Sequence, residues 1–413
     1  MRTYVVVALV MMGMVSGALA ADWPQFRGPN RNGTTPESSL PRSWPEGGPK
    51  VLWNVPVGRG YGGPAIRDGK VYLLDRDSRQ GDTLRCLDLA TGKEQWTFGY
   101  AAQGRISHDG SRSTPTVGEK YIFIVGALGQ LHCVDKTTHK AVWKKHLLTD
   151  FGGRRPMWAV SQSPILHKNA VIVAPQSREV GVLALDQATG KELWRSGFVG
   201  RMQYASPVIA TVDGVEQVVM AAKDSVGGVD INTGKVLWRY TGYRCRIPVP
   251  DALPIGDGRI FITGGYEAGS VMIRVQKGSD AFKVTELARE EEIGSHVHTP
   301  LLHKGYLYAL CNTNSRANGL VCFDLDVKVK WKTGRSPYLC KGNQILTGDG
   351  LIYSIDGRTG DLRIIEPSPE GYKELGKTPM LSGREIWGPM ALSDGKLVLR
   401  DHRQMKCLDL KAK

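Results

Sequence analysis

The stretch LRCLDLATGKEQW at residues 84–96 recurs in modified form along the chain. It joins an apolar run, an Asp, a Thr-Gly-Lys turn and a final Trp. This pattern predicts a β-hairpin, because the Asp oxygen accepts turn N–H groups and Gly adopts positive φ without strain. Four further copies keep most of this order: LHCVDKTTHKAVW (131–143), LALDQATGKELW (183–194), GVDINTGKVLW (228–238) and VCFDLDVKVKW (321–331).

Tryptophans recur along the chain at a regular spacing. Leu287 and Leu375 stand where the same spacing would place two more, and the steps between the eight positions are 43, 47, 51, 44, 49, 44 and 44 residues. This period is typical of a four-stranded propeller blade. We therefore predict an all-β, eight-bladed β-propeller of four-stranded antiparallel blades. The tryptophans are predicted to be structural residues packed between blades: Trp53, Trp96, Trp143, Trp194, Trp238 and Trp331.

The two ends of the chain are predicted to close the ring. The last repeat, residues 386–410, lacks a Trp, and KVLWNVPVG at residues 50–58 supplies the missing outer strand. We expect one propeller domain at residues 50–413, with the Pro- and Gly-rich segment 21–49 wrapping across it. A proline removes a ladder donor, so the strands that open with one should be innermost edge strands. These prolines are Pro64, Pro115, Pro164, Pro207, Pro300 and Pro389.

Residues 1–20, MRTYVVVALVMMGMVSGALA, predict a secretory signal peptide. A short apolar run follows one Arg, and a small-x-small site predicts cleavage near Ala20. No Cys follows that site, so a lipid anchor is not predicted. We expect a secreted or periplasmic monomer that does not span a membrane.

Seven cysteines in an exported protein would normally suggest disulfides. Four of them occupy one position, two residues before the turn Asp, where other repeats have Ala184 and Gly228. A position that accepts Gly, Ala or Cys is small and buried, so we predict packed free thiols in separate blades. They are Cys86, Cys133, Cys322 and Cys407, whereas Cys245, Cys311 and Cys340 fall outside this position and stay unassigned.

The repeated D-x-x-T-G-K-x-x-W ending and the opening DWPQFRGPNRNG at residues 22–33 resemble the pyrroloquinoline-quinone-like β-propeller repeat proteins. The resemblance covers nearly all of residues 22–413. It implies either a quinoprotein dehydrogenase or a non-catalytic scaffold like the propeller subunit of the outer-membrane-protein assembly machinery. Such dehydrogenases share adjacent cysteines over the quinone, a stacking Trp and a Glu/Asn/Asp calcium site. The chain has no Cys-Cys pair, and no spacing nominates calcium ligands, so no cofactor is predicted. Pyrroloquinoline quinone stays open as the alternative cofactor, without support from a motif.

The loops from each Trp strand to the next innermost strand are expected to meet at the mouth of the central channel. Six of the eight carry Gly-Arg, which would give a positive, concave site for carboxylates, sulfates or phosphates. Alternatively, Gly-Arg is a repeated turn whose Arg pairs with the adjacent blade. The predicted ligand-binding residues are Arg59, Tyr61, Arg105, Arg112, Arg154, Trp158, Arg201, Tyr204, Arg244, Arg246, His298, Arg335, Tyr338, Arg384 and Trp387.

His296 and His298 alternate along a predicted strand and so would face one way. No third ligand lies at useful spacing, so we predict hydrogen-bonding histidines at the mouth and no metal site. No catalytic triad, phosphate-binding loop or paired-carboxylate motif is present either, and no catalytic residue is predicted.

The net charge of +14 favours an anionic ligand or a cell-envelope protein or polymer as partner. Nucleic acid is not expected of an exported chain without a nucleic-acid-binding module. The sequence therefore favours a non-catalytic binding or scaffolding propeller with an Arg- and aromatic-lined mouth. The alternative is a quinone-dependent oxidoreductase.

Overall fold

The computed structural model describes residues 22–175, 177–201 and 203–411. Within these ranges the chain forms eight four-stranded antiparallel sheets and no helix. The predicted eight-bladed all-β propeller is thus confirmed. The predicted signal peptide at residues 1–20 lies outside the described residues, and the described part has no helix long and apolar enough to cross a membrane.

The blades are numbered 1 to 8 in chain order, and each has four strands from the axis outward. The innermost strands are β2 (Ala65–Arg67), β6 (Thr116–Val117), β10 (Ile165–His167), β14 (Val208–Val212), β18 (Leu253–Gly256), β22 (Leu301–His303), β26 (Gln344–Leu346) and β30 (Ala391–Ser393). The second strands are β3 (Lys70–Asp77), β7 (Tyr121–Val125), β11 (Ala170–Val173), β15 (Val215–Ala221), β19 (Arg259–Thr263), β23 (Tyr306–Leu310), β27 (Ile352–Ile355) and β31 (Lys396–Arg400). The third strands are β4 (Gly81–Asp88), β8 (Gln130–Asp135), β12 (Leu183–Asp186), β16 (Val226–Asp230), β20 (Ser270–Lys277), β24 (Leu320–Phe323), β28 (Asp361–Ile365) and β32 (Gln404–Asp409). The outer strands are β5 (Glu94–Ala101), β9 (Ala141–His146), β13 (Glu192–Arg195), β17 (Val236–Tyr240), β21 (Phe282–Glu290), β25 (Val329–Lys332), β29 (Glu374–Pro379) and, in blade 8, β1 (Lys50–Pro56).

The ring closes as predicted, because β1 pairs with β32 from the opposite end of the chain. Each innermost strand is an edge of its sheet, and the six predicted prolines lie immediately before or within one residue of such a strand. Neighbouring innermost strands, such as β2 and β6, contact each other. This is the arrangement expected of strands that surround a common axis.

The register explains why the cysteine position is small. Cys86 lies opposite Trp96, Cys133 opposite Trp143 and Ala184 opposite Trp194, each on the adjacent strand of the same blade. A β-bulge follows the small residue in every case. The small side chain therefore leaves room for the indole on one sheet face. All seven cysteines are free, as predicted for the four in this position, and those four are fully buried.

The tryptophans connect neighbouring blades by a specific contact. The indole N–H of Trp143 in blade 2 donates to the Gln187 carbonyl of blade 3 over 2.9 Å, and Trp194 donates to Ile231 of blade 4 over 3.0 Å. The Trp143 ring covers the turn glycine Gly190 of the next blade. Asp, Thr and Gly of one hairpin thus form the surface on which the preceding Trp packs. Similar indole bonds run from Trp53 to Leu89 and from Trp331 to Ser368.

The expectation that Leu287 and Leu375 replace tryptophan was wrong by one residue. The register places Ala288 opposite Met272 and Gly376 opposite Ile364, so the large side chain in these blades is on the third strand. Leu287 is a bulge residue and is 43% exposed. A one-residue bulge changes which side chain faces the neighbouring blade, and spacing alone does not show it.

Candidate functional site

A ring of hydrogen bonds joins the blades just before their innermost strands. Each link is a backbone N–H of one blade donating to a side-chain oxygen of the next. Five successive links are described: Gly63 to Thr114 (3.3 Å), Thr114 to Ser163 (3.0 Å), Ser163 to Ser206 (3.0 Å), Ser206 to Asp251 (2.6 Å) and Asp251 to Thr299 (2.9 Å). We call this the hydroxyl ring. It fixes the loops that surround the channel.

The N-terminal segment enters the channel directly beneath this ring. The Arg31 guanidinium donates to the carbonyls of Pro164 and Ser163 over 2.8 and 2.7 Å. Arg27 donates to the carbonyls of Thr299 and Pro300, which lie three blades away from the carbonyls that Arg31 contacts. Burial lowers the pKa of both arginines to about 10, so both remain protonated at neutral pH. The segment thus joins blade 3 to blade 6 across the axis, and we call this crossing the floor.

Above this floor lies a cavity of about 340 Å³, lined by residues from all eight blades and by Phe26 of the N-terminal segment. This volume falls within the range of small-molecule sites, which are concave, largely apolar and carry a few polar groups. The aromatic and histidine side chains that line it are Phe26, Tyr61, His108, Trp158, Tyr204, Tyr266, His296, His298 and Trp387.

Two aromatic pairs form adjoining walls of the cavity. The rings of Tyr61 and Trp387 lie 5.4 Å apart, and those of Trp158 and Tyr204 lie 5.7 Å apart. His108 stands edge-on to both pairs, 6.4 Å from Tyr61 and 6.2 Å from Trp158. These walls present ring faces to a ligand, and such faces attract the positive edges of C–H and N–H groups.

Several polar and charged side chains of the cavity lining are already partnered. The Tyr61 hydroxyl donates to Glu385 over 2.9 Å, and burial raises the Tyr61 pKa well above its usual value. The Arg112 guanidinium donates to loop carbonyls, among them that of Gly110 at 2.7 Å. Its pKa is lowered to about 10 by burial. Lys341 donates to Asn314 and lies 5.5 Å from the Trp387 ring centre.

Three other lining residues carry buried polar atoms without a partner. Asp251 Oδ2, His296 Nδ1 and His298 Nε2 have no hydrogen-bond partner. Burial lowers the pKa of both histidines to about 3, so both rings are neutral at physiological pH. Burial raises the pKa of Asp251, while Arg31 and Arg27 act against that rise. Unpartnered polar atoms at such depth are expected to meet a ligand or water.

The structure brings six of the fifteen predicted ligand-binding residues to the cavity: Tyr61, Arg112, Trp158, Tyr204, His298 and Trp387. The six arginines of the Gly-Arg pairs do not line it and are all exposed: Arg59, Arg105, Arg154, Arg201, Arg335 and Arg384. Arg244, Arg246 and Tyr338 also lie outside the cavity lining. Of the exposed arginines, Arg201 pairs with Asp224 at 2.9 Å.

The predicted strand position of the two histidines was wrong, because His296 and His298 lie in the loop before β22. Both line the cavity all the same. Sequence reasoning missed Phe26, Asp251 and Tyr266. Asp251 had a signal in the sequence, since it stands where other blades carry the Ser or Thr before the innermost strand.

Comparison with known proteins agrees with this architecture. A family model described as "Outer membrane protein assembly factor BamB" matches residues 80–333, which is more than half of the chain. The chain belongs to the BamB family. Among curated proteins, the dehydrogenase subunit of the quinone alcohol dehydrogenase of Gluconacetobacter polyoxogenes is 28% identical over 371 residues, covering 83% of this chain and 45% of that protein. The chain thus spans less than half the length of this relative.

Solved structures share the fold at low sequence identity. A europium-containing methanol dehydrogenase superposes with a TM-score of 0.67 at 11% identity, covering 92% of this chain and 89% of that one. BamB from Moraxella catarrhalis gives a TM-score of 0.60 at 12% identity, covering 88% of this chain and 98% of that one. These likenesses show the fold only.

The cavity of this BamB-family chain does not fit a quinone held with a metal ion. The described residues contain no group of three His, Cys, Asp or Glu that could hold a metal, and no cysteine lines the cavity. Within the described part of the chain, the cavity lining has only two carboxylates: Glu385 accepts from the Tyr61 hydroxyl, and Asp251 accepts from the Ser206 N–H with Oδ1, which leaves Asp251 Oδ2 as an oxygen without a partner. A divalent cation needs several free oxygen ligands, which this set does not supply.

Proposed function

We propose that the protein is an exported, non-catalytic binding propeller whose central cavity holds a compact, ring-shaped ligand or the end group of a larger partner. The observation that carries this proposal is the cavity itself, which is lined by aromatic rings from several blades and by Phe26 of the segment that Arg27 and Arg31 anchor. A site formed by eight loops is held rigid by the hydroxyl ring, which favours binding with little rearrangement.

The exposed arginines of the Gly-Arg pairs suit a second, outer contact. They lie in the loops around the same mouth and are open to solvent. An anionic polymer or an acidic protein surface could pair with them while its end group occupies the cavity. Such rim contacts are screened by salt, whereas contacts inside the cavity are not.

A ligand screen by thermal shift tests the cavity. A compound that binds there should raise the melting temperature of the parent protein, and the shift should disappear in Trp158→Ala, which removes one wall. Phe198→Ala is the matched control, because Phe198 is 37% exposed and lies outside the cavity lining. A shift that survives Trp158→Ala would place the ligand elsewhere and refute the proposed site.

A quinone-dependent oxidoreductase remains the second candidate, because the similarity to the quinone alcohol dehydrogenase subunit covers 83% of the chain. The test is the absorbance spectrum of the purified protein after addition of pyrroloquinoline quinone and Ca²⁺, followed by dye reduction with a primary alcohol. We expect neither a bound chromophore nor alcohol-dependent dye reduction. Either signal would favour the dehydrogenase.

A further inference from the structure

We infer that Asp251 and His298 form a hydroxyl-binding subsite in the cavity, and that the ligand is a polyhydroxylated ring such as a neutral sugar residue. This inference rests on the proposed function and specifies the class of ligand. Asp251 of the hydroxyl ring has a second side-chain oxygen that the ring does not use.

Asp251 occupies a position that a hydroxyl group fills in neighbouring blades. Thr114, Ser163, Ser206 and Thr299 each accept the N–H of the preceding blade with a single oxygen. Asp251 does the same with Oδ1, over 2.6 Å from the Ser206 N–H. A Ser or Thr would therefore complete the ring equally well, and the second oxygen of Asp251 has no part in it.

That second oxygen is buried and has no partner. Asp251 is only 3% exposed, its Oδ2 makes no hydrogen bond, and the side chain lines the cavity. Arg31 and Arg27 act on this carboxylate through their charge, but neither makes a hydrogen bond to it. Their terminal guanidinium nitrogens donate to backbone carbonyls, and Arg31 Nε has no partner. Charge balance thus does not satisfy Oδ2, and a ligand donor would.

His298 supplies the second group of the subsite. His298 is 9% exposed and belongs to the loop that leads into the next blade. The Asp251 N–H donates to Oγ1 of Thr299, the residue that follows His298 in the chain. His298 Nδ1 lies 3.5 Å from Asn343 Nδ2, and His298 Nε2 has no partner. A neutral imidazole offers either a donor or an acceptor at Nε2, depending on the tautomer.

A hydroxyl group matches this pair better than the other common polar groups. A single hydroxyl donates its one proton to Asp251 Oδ2 and accepts from His298 Nε2–H. With the other tautomer, two hydroxyls of the same ring would donate, one to Asp251 Oδ2 and one to His298 Nε2. A ligand carboxylate would meet the Asp251 oxygen with like charge. Above the subsite, the rings of Trp158 and Tyr204 offer a face on which the C–H side of a sugar ring packs.

The experiment titrates the protein with neutral methyl hexopyranosides and their monodeoxy analogues, followed by tryptophan fluorescence and calorimetry. A parallel titration uses an aromatic carboxylate without hydroxyl groups. The variants are Asp251→Ser, which keeps an acceptor for the ring, and His298→Gln. Thr114→Ser is the matched control, since Thr114 belongs to the hydroxyl ring, does not line the cavity, and keeps its ring acceptor as Ser.

We expect at least one hexopyranoside to bind, with affinity reduced roughly tenfold or more in Asp251→Ser and unchanged in Thr114→Ser. The deoxy analogue that lacks the recognised hydroxyl should lose a similar factor with the parent protein and nothing further with Asp251→Ser. A structural role of Asp251 would not produce this ligand-specific pattern. If Asp251→Ser fails to fold, His298→Gln with the same deoxy series gives the same comparison.

The outcomes separate this inference from the proposed function. If the aromatic carboxylate binds in a Trp158-dependent manner and no sugar does, the subsite is refuted and the binding cavity stands. If a sugar binds equally well to the parent protein and to Asp251→Ser, the subsite is also refuted. If neither probe binds, the inference fails, and the thermal-shift screen then decides separately whether the cavity binds any ligand.

Discussion

Replacing Gly190 with Ala should destabilise the propeller through the Trp143 contact between blades 2 and 3. Gly190 has φ +68°, and a Cβ there would lie 2.6 Å from Cδ2 of the Trp143 indole. Gly69 has the same φ, but a Cβ there would meet no atom within 4 Å. The two Gly→Ala changes therefore have the same free-energy cost of positive φ, but only the change at Gly190 brings a Cβ against the Trp143 indole.

The magnitude follows from these contacts. Alanine in the left-handed region costs roughly 1–2 kcal/mol at either glycine. Displacing the half-buried indole at Gly190 also weakens its hydrogen bond to Gln187, worth roughly 1 kcal/mol, and part of its packing, worth roughly another 1 kcal/mol. We thus expect a loss of about 3–4 kcal/mol for Gly190→Ala and about 1–2 kcal/mol for Gly69→Ala.

The assay is the free energy of unfolding in guanidinium chloride, measured for both glycine variants in the parent and in a Trp143→Ala background. Trp143→Ala alone should cost about 3 kcal/mol. In that background no indole is displaced, so Gly190→Ala should cost no more than Gly69→Ala. Equal losses for the two variants in the parent protein, or an undiminished loss for Gly190→Ala without the indole, would refute the reasoning.

Three further predictions concern the N-terminal segment, the pH dependence of stability and the closing strand β1. Arg31→Met should lower the unfolding free energy by about 3 kcal/mol, because two carbonyls lose a charged donor, whereas exposed Arg154→Met should change it by less than about 0.5 kcal/mol in the same denaturant assay. Burial lowers the pKa of His132 to about 4 in the folded protein, whereas its value in the unfolded chain is about 6.5. As the pH falls, the unfolded state therefore binds the proton first. The free energy of unfolding thus decreases between about pH 6.5 and about pH 4. Unfolding curves of His132→Gln should show a shallower decline over that range, and an identical slope would contradict this assignment. Deleting β1 should leave the β32 edge unpaired and produce oligomers by light scattering, and a monomeric deletion variant would argue against the ring closure.

The sequence predicted the elements that depend on local, repeated interactions. The Asp-x-x-Thr-Gly turn and the Trp period specify hairpins and blades, because each hairpin forms from residues near one another in the chain. The small position opposite Trp96 and Trp143 is equally local, since it lies on the adjacent strand. The closing strand β1 was predictable because the last repeat lacked an outer strand. These features recur, and recurrence makes a pattern visible in one sequence.

Only the tertiary structure decided what occupies the channel and which groups form the site. Arg27 and Arg31 contact carbonyls more than 130 positions away, and nothing in their local sequence indicates those partners. The exposed Gly-Arg pairs recur from blade to blade, and this recurrence led to their prediction as binding residues. The cavity is instead lined by residues that do not recur from blade to blade, such as Asp251 and Phe26. The repeats are alike because every blade must pack on the next, whereas the side chains that line the cavity do not have to meet that requirement. The residues that line the cavity therefore do not recur at a regular spacing in the sequence, and only closure of the ring brings them together.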